Sequence, residues 1–297
     1  MNLYTQYLLL FCLYGSKLKM KILFTGHKGF LGQELIPEIQ KNFKVFCFEG
    51  DLRDFSEISK FIKFNKIDKI IHAAARGGRR NRVDTHLDLI ENLMASTNVL
   101  RQGLPTISFC SGKIYGWQNS IDNKDEADSG SIYPNDFYGQ FKFIFRNMII
   151  NEPQFKILRY FNVFGSTENT DRFIKANILR YAHKESMVIY QDFIMDFFYV
   201  KDSLPIIFDW LGGEDIPKET NLVYPQKKKL SEICALINKL DKHKVDILTD
   251  DPSPGKNYFG NGQRFLNMGY RLEGLESGIN LIYQMEKNRF KGASLEK

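Results

Sequence analysis

The stretch from Met20 to Gly32 constrains this chain more than any other. It reads Met-Lys-Ile-Leu-Phe-Thr-Gly-His-Lys-Gly-Phe-Leu-Gly. A short apolar run breaks into glycines at 26, 29 and 32, and a helical pattern starts at residue 30. Strand, glycine turn and helix in direct succession form one supersecondary unit. The missing side chains let the backbone approach a pyrophosphate, and the helix start aims free N–H groups at it. Gly26, Lys28, Gly29, Phe30, Leu31 and Gly32 are therefore candidate contacts of a dinucleotide. Spaced glycines carry this meaning only between a strand and a helix, which is where these stand.

The alternation continues along the chain. Apolar runs at 21–25, 44–48, 69–73, 106–110 and 155–161 predict strands, with helical patterns at 30–41, 55–65, 87–101 and 137–150 between them. Such an order implies a parallel sheet covered on both faces, because right-handed crossovers place helices there. The expected fold class is α/β, a doubly wound parallel sheet of Rossmann type. Pro37 is expected to weaken or kink the first helix. Past residue 165 the pattern loosens into short strands (187–190, 196–200, 220–224) and helices (172–183, 229–239, 274–287), a smaller α+β lobe. The expected division is a dinucleotide-binding domain at 20–165 and a substrate-binding lobe at 166–297, partly interleaved with it. Residues 1–19 read as an N-terminal extension that need not be native, and the polar tail from Lys287 as frayed.

Charge and cysteine usage exclude several classes. The net charge of +6 suits anionic small molecules as well as nucleic acid. Cys12, Cys47, Cys110 and Cys234 show no paired spacing, which argues against a disulfide scaffold or zinc ribbon and for a reducing, cytoplasmic setting. The longest apolar stretch, Tyr7 to Tyr14, falls far short of the ~20 residues of a membrane span. The five histidines show no metal-ligand spacing, so no metal is expected. His72 reads as a satisfied strand residue, Cys110 as buried, and Lys227-Lys228-Lys229 as a solvated face opening a helix. The arginines of Arg76-Gly77-Gly78-Arg79-Arg80-Asn81-Arg82 read as an active-site loop able to capture a substrate diphosphate, rather than as a nucleic-acid element.

Two cues about the cofactor oppose each other. Glu49 stands where it can accept from a ribose 2′-hydroxyl, favouring NAD, while Lys28 can pair with a 2′-phosphate, favouring NADP. Asp51 can bond the adenine amino group or cap a turn. For chemistry, Ser111 follows an expected strand, and Tyr138 and Lys142 share a helix face at a spacing of four. A phenol near an ammonium is expected to ionise more readily than its ordinary pKa of about 10 allows, which makes Tyr138 a proton donor and acceptor. Ser111 can bond the reacting oxygen, and Lys142 can hold the nicotinamide ribose. The same Tyr/Lys spacing recurs at Tyr224/Lys228 and Tyr283/Lys287, which read as ordinary surface residues.

These motifs together resemble the extended short-chain dehydrogenase/reductase superfamily, in its NAD-dependent epimerase/dehydratase branch acting on nucleotide sugars. The resemblance covers about residues 20–285. It runs through the glycine turn, Asp51-Leu52-Arg53-Asp54, Ile70-Ile71-His72-Ala73-Ala74, and Asn92 with Thr97-Asn98. It continues through Ser111-Gly112-Lys113-Ile114-Tyr115-Gly116, the Tyr138/Lys142 pair, Arg159-Tyr160-Phe161-Asn162-Val163-Phe164-Gly165 and Asp196-Phe197-Phe198-Tyr199-Val200-Lys201-Asp202. It implies cofactor contacts from Leu52, Ala73, Ala74, Ala75, Asn92 and Phe161, and substrate contacts from Asn162 and Arg172. The short connection into Asp51, the Gly26-His27-Lys28-Gly29 turn and the Ala74–Gly78 loop look like those of GDP-fucose synthases. Arg172 lies roughly where those enzymes carry a catalytic His, and Met195 stands where many relatives carry a phosphate-binding Arg. Gly112-Lys113 replaces the Asp-Glu of dehydratases. The implied activity is reduction of a nucleotide-linked keto-sugar with NAD or NADP. Alternatives are an epimerase with tightly bound NAD and a non-catalytic cofactor-binding protein. A homodimer is common among such proteins.

Overall fold

The computed structural model describes residues 20–78 and 82–295. The extension expected at 1–19 lies outside the described residues, as do Cys12, Arg79, Arg80 and Asn81.

In chain order the strands are β1 (Lys21–Thr25), β2 (Lys44–Cys47), β3 (Lys69–His72), β4 (Thr106–Ser111), β5 (Ile121–Lys124), β6 (Phe155–Tyr160), β7 (Val163–Phe164), β8 (Met187–Ile189), β9 (Phe198–Tyr199), β10 (Glu219–Leu222), β11 (Ile247–Thr249) and β12 (Tyr258–Gly260). Six form one parallel sheet in the order β10-β6-β4-β3-β1-β2. The chain moves outward from β1 to β2, then reverses to β3 on the other side of β1. That reversal opens a crevice at the strands' carboxyl ends.

Alternating side chains of β1 explain the layers. Ile22 and Phe24 face one way, packing with Leu35 and Ile39 of the Phe30–Ile39 helix and Ile207 and Trp210 of the Leu204–Gly212 helix. Leu23 faces the other way, onto Ile58 and Ile62 of the Phe55–Asn65 helix and Val99 of the His86–Leu100 helix. The Phe137–Ile149 helix covers the same side through Phe141, Phe145 and Ile149. Helices on both faces make the sheet doubly wound, as expected. A second core joins the Phe173–Ala182 and Leu230–Ile237 helices to Ile279, Ile282 and Tyr283 of the Gly274–Leu295 helix.

Two expectations about the second half change. The strand expected at 220–224 does not belong to the smaller lobe: as β10 it pairs with β6 and completes the main sheet. Its buried Glu219 receives the fully buried Arg159 guanidinium of β6, and Arg146 binds the same carboxylate (Nη2 to Oε1, 2.6 Å). The tail is not frayed at Lys287, because the last helix runs on to Leu295. Pro37 falls in the last turn of its helix, where its missing N–H removes one bond. Among the described residues no helix is long and apolar enough to cross a membrane, and no cluster of metal ligands forms.

Candidate active site

The crevice between β1 and β3 is a cleft of ≈ 500 Å³ walled by the glycine turn, residues 48–53 and residues 73–76. Gly26 has φ +76°, and a Cβ there would lie 2.7 Å from the Ala74 nitrogen. Only glycine fits both demands. A Cβ on Gly32 would stand 2.4 Å from the His27 carbonyl oxygen, so the helix's first turn packs directly on the loop. Gly29 begins the helix with no side-chain cap, and its first turn, which starts with Phe30 and Leu31, holds no acidic residue. Unclaimed N–H groups and a positive helix end suit a dinucleotide's pyrophosphate.

The opposed cofactor cues are bonded to each other. Lys28 Nζ lies 2.5 Å from one Glu49 oxygen and His27 Nε2 2.9 Å from the other. The Lys28 bond in particular holds the exposed Glu49 carboxyl below the usual carboxylate range. Asp51 accepts the Arg53 N–H at 2.8 Å and its guanidinium at 2.7 Å, so it organises the turn. Arg53 and Arg76 both pair with Glu91, the latter at 2.9 Å. Arg76 thus borders the dinucleotide cleft. Both ends of the Asn92 amide are taken by the Arg76 main chain, at 2.8 Å each. Asn98 donates to the Leu52 and Arg53 carbonyls. The two asparagines shape the cleft by fixing its loops. Ala73 and Ala74 follow β3, the Ala73 N–H donating to the Thr25 carbonyl at 3.2 Å, and Ala75 lines the cleft beyond them.

His72 is satisfied on both sides, by Thr25 Oγ1 at 2.7 Å and Ser96 Oγ at 3.0 Å. Burial, with Lys142 nearby, depresses its pKa to about 3, so it stays neutral.

Ser111 ends β4, and its Oγ accepts the Lys113 N–H at 3.3 Å. Tyr138 and Lys142 sit one turn apart on the Phe137–Ile149 helix, which Asp136 caps by accepting from Gly139 N–H at 2.9 Å. Lys142 is buried and donates to the Phe109 carbonyl at 2.7 Å; burial depresses it to about 8. The expected lowering of the Tyr138 phenol is overturned. Burial pushes it above its ordinary range, Cys110 and Asp84 add to this, and Arg172 opposes it. The physical reason is burial, which penalises the phenolate; the Lys142 ammonium donates to the Phe109 carbonyl and stands 5.6 Å from the ring centre.

On the substrate side, the Asn162 amide donates to the Asp196 carbonyl at 3.2 Å. Arg172 starts the Phe173–Ala182 helix, its Nε donating to Glu168 at 3.0 Å and its Nη2 to the Val163 carbonyl at 3.0 Å. The Phe161 ring is packed between Tyr115 and Tyr258, at 5.7 and 5.2 Å.

The Lys227–Lys229 run is not a uniform solvated face. Lys227 reaches inward to both Asp196 oxygens at 2.9 Å, because that buried carboxylate needs a cation. Tyr224 and Tyr283 are not ordinary surface residues either. Tyr224 donates to Asp202, and the buried Tyr283 donates to Asp241 at 3.2 Å. Sequence reasoning missed Lys113, which pairs with Asp136 at 3.0 Å and lies 5.8 Å from the Tyr138 ring centre. Lys113 adjoins the serine motif and could have been found there.

The chain is similar to a GDP-6-deoxy-D-talose 4-dehydrogenase from Aggregatibacter actinomycetemcomitans, 26% identical over 93% of this chain and 100% of that protein. Among solved structures it resembles a GDP-mannoheptose C4 reductase from Campylobacter jejuni with NADP bound (TM-score 0.78, 20% identity, 92% of this chain and 100% of that one). It also resembles a UDP-glucose 4-epimerase from Thermus thermophilus in complex with NAD (TM-score 0.75, 19% identity, 89% and 98%). The model of the NAD dependent epimerase/dehydratase family matches residues 22–209, well over half of the sequence, and the chain belongs to that family.

Proposed function

We propose that the protein is an NAD(P)-dependent oxidoreductase that reduces the keto group of a nucleotide-activated sugar. Residues 20–165 bind the dinucleotide, and residues 166–297, partly interleaved with them, bind the sugar nucleotide. Bound in the glycine cradle, the nicotinamide cofactor supplies hydride to the carbonyl carbon. Tyr138 gives its proton to the carbonyl oxygen; its raised pKa keeps that proton in place until negative charge develops on the substrate. Ser111 hydrogen-bonds the same oxygen. Lys142 holds the cofactor ribose and keeps the tyrosine helix in register. Arg76, Asn162 and Arg172 contact the sugar nucleotide.

The observation that carries this reading is the 2.7 Å bond from Lys142 to the Phe109 carbonyl, which ties the Tyr138 helix to the strand ending in Ser111. The similarity to a 4-dehydrogenase supports it, since that enzyme's named reaction moves hydride and proton in the opposite direction. The proposed setting is the cytoplasm, where the free Cys47, Cys110 and Cys234 stay reduced. A homodimer is part of the proposal. Leu87, Ile90 and Met94 form an exposed apolar face on the His86–Leu100 helix, with Val83 just ahead of it.

The test is a panel of GDP-, dTDP- and UDP-linked 4-keto-sugars with NADH or NADPH, followed by cofactor absorbance. Stoichiometric consumption supports the reductase; no consumption on any substrate rejects it. A second reading, a sugar epimerase, draws on the Glu49 carboxylate at the ribose end of the cleft. It requires NAD retained through purification and sugar interconversion without net cofactor turnover.

A further inference from the structure

Lys113 is bonded to both sides of the proposed chemistry. It lies in the short helical turn Gly112–Tyr115 that follows β4. Its N–H donates to Ser111 Oγ at 3.3 Å. Its side chain reaches the tyrosine helix, where Nζ donates to Asp136 Oδ1 at 3.0 Å. Asp136 caps the Phe137–Ile149 helix, and the same oxygen accepts the Gly139 N–H at 2.9 Å. The ammonium ends 5.8 Å from the centre of the Tyr138 ring. One residue thus touches the serine oxygen with its main chain and the tyrosine's helix cap with its side chain.

The cap depends on this lysine. The second Asp136 oxygen is buried and has no hydrogen-bond partner among the described residues. Without the ammonium, a partly buried carboxylate keeps one backbone donor and no cation, and it gains by turning toward water. The first turn of the helix would follow, and the packing around it is tight. A Cβ on Gly139 would stand 2.8 Å from the Pro134 Cβ, and one on Gly78 would stand 2.9 Å from Tyr138 Cε1. Lys142 ties the same helix to β4 one turn further on. Tyr138 therefore lies between two ammonium anchors, and Lys113 is the one that governs the helix start. We propose that Lys113 is a positioning residue: through Asp136 it sets the Tyr138 phenol at reach of the oxygen that Ser111 bonds. This role rests on the roles of Ser111 and Tyr138 proposed above.

Lys113→Met removes the ammonium and keeps the main-chain N–H that holds Ser111. On the 4-keto-sugar panel with NADPH or NADH, kcat should fall roughly 10- to 100-fold, the scale of a small misplacement of a reacting group. KM and dinucleotide affinity should stay within about twofold of wild type. Lys113→Arg keeps the charge and should recover most of the loss. Asp136→Asn keeps a capping oxygen and drops the charge, so in that background Lys113→Met should have almost no further effect. A merely structural lysine would lower the melting temperature and leave kcat of the folded enzyme at the wild-type value, and that result overturns the proposal. So does an equal fall in both backgrounds, or a Lys113→Arg enzyme as slow as Lys113→Met. Tyr138→Phe separates the two levels: full activity in that variant, or no wild-type turnover on the panel, removes the underlying reading. An inactive Tyr138→Phe beside an unaffected Lys113→Met removes only the role of Lys113.

Discussion

Lys142 donates to the main-chain carbonyl of Phe109 at 2.7 Å, and Phe109 lies two residues before Ser111 on the same strand. One ammonium therefore fixes the separation between the helix that carries Tyr138 and the strand that carries the serine. Removing it also leaves a buried carbonyl without its partner.

Lys142→Ala is accordingly expected to lower both dinucleotide affinity and turnover, and to cost about 1–3 kcal/mol of stability. Calorimetric titration with NAD and NADP, together with urea unfolding, reads both. Burial places Lys142 near 8, so in the free enzyme kcat/KM should decline as pH rises through about 8, where the ammonium is lost. A flat profile to pH 9.5 would contradict this.

Tyr138→Phe should reduce kcat by about 10²- to 10⁴-fold, the usual worth of a positioned proton donor. Dinucleotide affinity should stay within about twofold, because the glycine turn, not the phenol, cradles the pyrophosphate. Turnover near the wild-type rate would remove Tyr138 from the chemistry.

Glu49→Gln should shift preference toward NADPH. The carboxylate now engages Lys28 at 2.5 Å and His27 at 2.9 Å, and the change releases both for a 2′-phosphate. The NADPH/NADH ratio of kcat/KM should rise about tenfold, corresponding to about 1.4 kcal/mol. Lys28→Ala should move the ratio the other way. Equal ratios in all three proteins would show that this pair does not face the ribose.

His72 makes the fold acid-sensitive. Its folded pKa near 3 lies below the ordinary 6.5, so between those values the unfolded chain binds a proton that the folded one refuses. Stability from this residue is complete above pH 6.5 and is lost as pH falls toward 3, by at most about 1.4 kcal/mol per pH unit. Glu168, pushed up to about 7 by burial, and Asp196, to about 6, act in the opposite sense. The diagnostic is therefore a difference: urea midpoints should decline less between pH 7 and 5 in His72→Gln than in wild type.

Leu87→Glu places a charge in the exposed apolar face of the His86–Leu100 helix, where Leu87 is 61% exposed. Sedimentation velocity should show a dimer in wild type and a monomer in the variant, with the melting temperature of each subunit little changed. A monomeric wild type removes the homodimer from the proposal.

The main sheet was legible because each of its strands carries its own signal. The expected 69–73 and 106–110 lie within one residue of β3 and β4, since apolar runs bounded by turn residues encode strands locally. The glycine turn was legible for the same reason, as the contact of Gly32 with His27 and the direct passage from strand to helix lie within a few residues. What failed depends on distant partners. Nothing near 220–224 says that it pairs with β6, and nothing in Lys227 announces the buried Asp196 it neutralises. The Tyr138 phenol was misjudged because helix spacing shows that Lys142 is near but not that burial would outweigh it.

The fully buried Arg159 guanidinium on β6 finds its carboxylate on β10, more than fifty positions downstream. A gene fragment ended at residue 165 would encode a product with a naked strand edge and an orphaned cation in its interior, a defect of about 3–5 kcal/mol. Evolution by recombination meets the same obstacle. A crossover between relatives at the boundary suggested by the motifs draws the two partners from different parents, whereas one after Leu222 inherits the sheet whole.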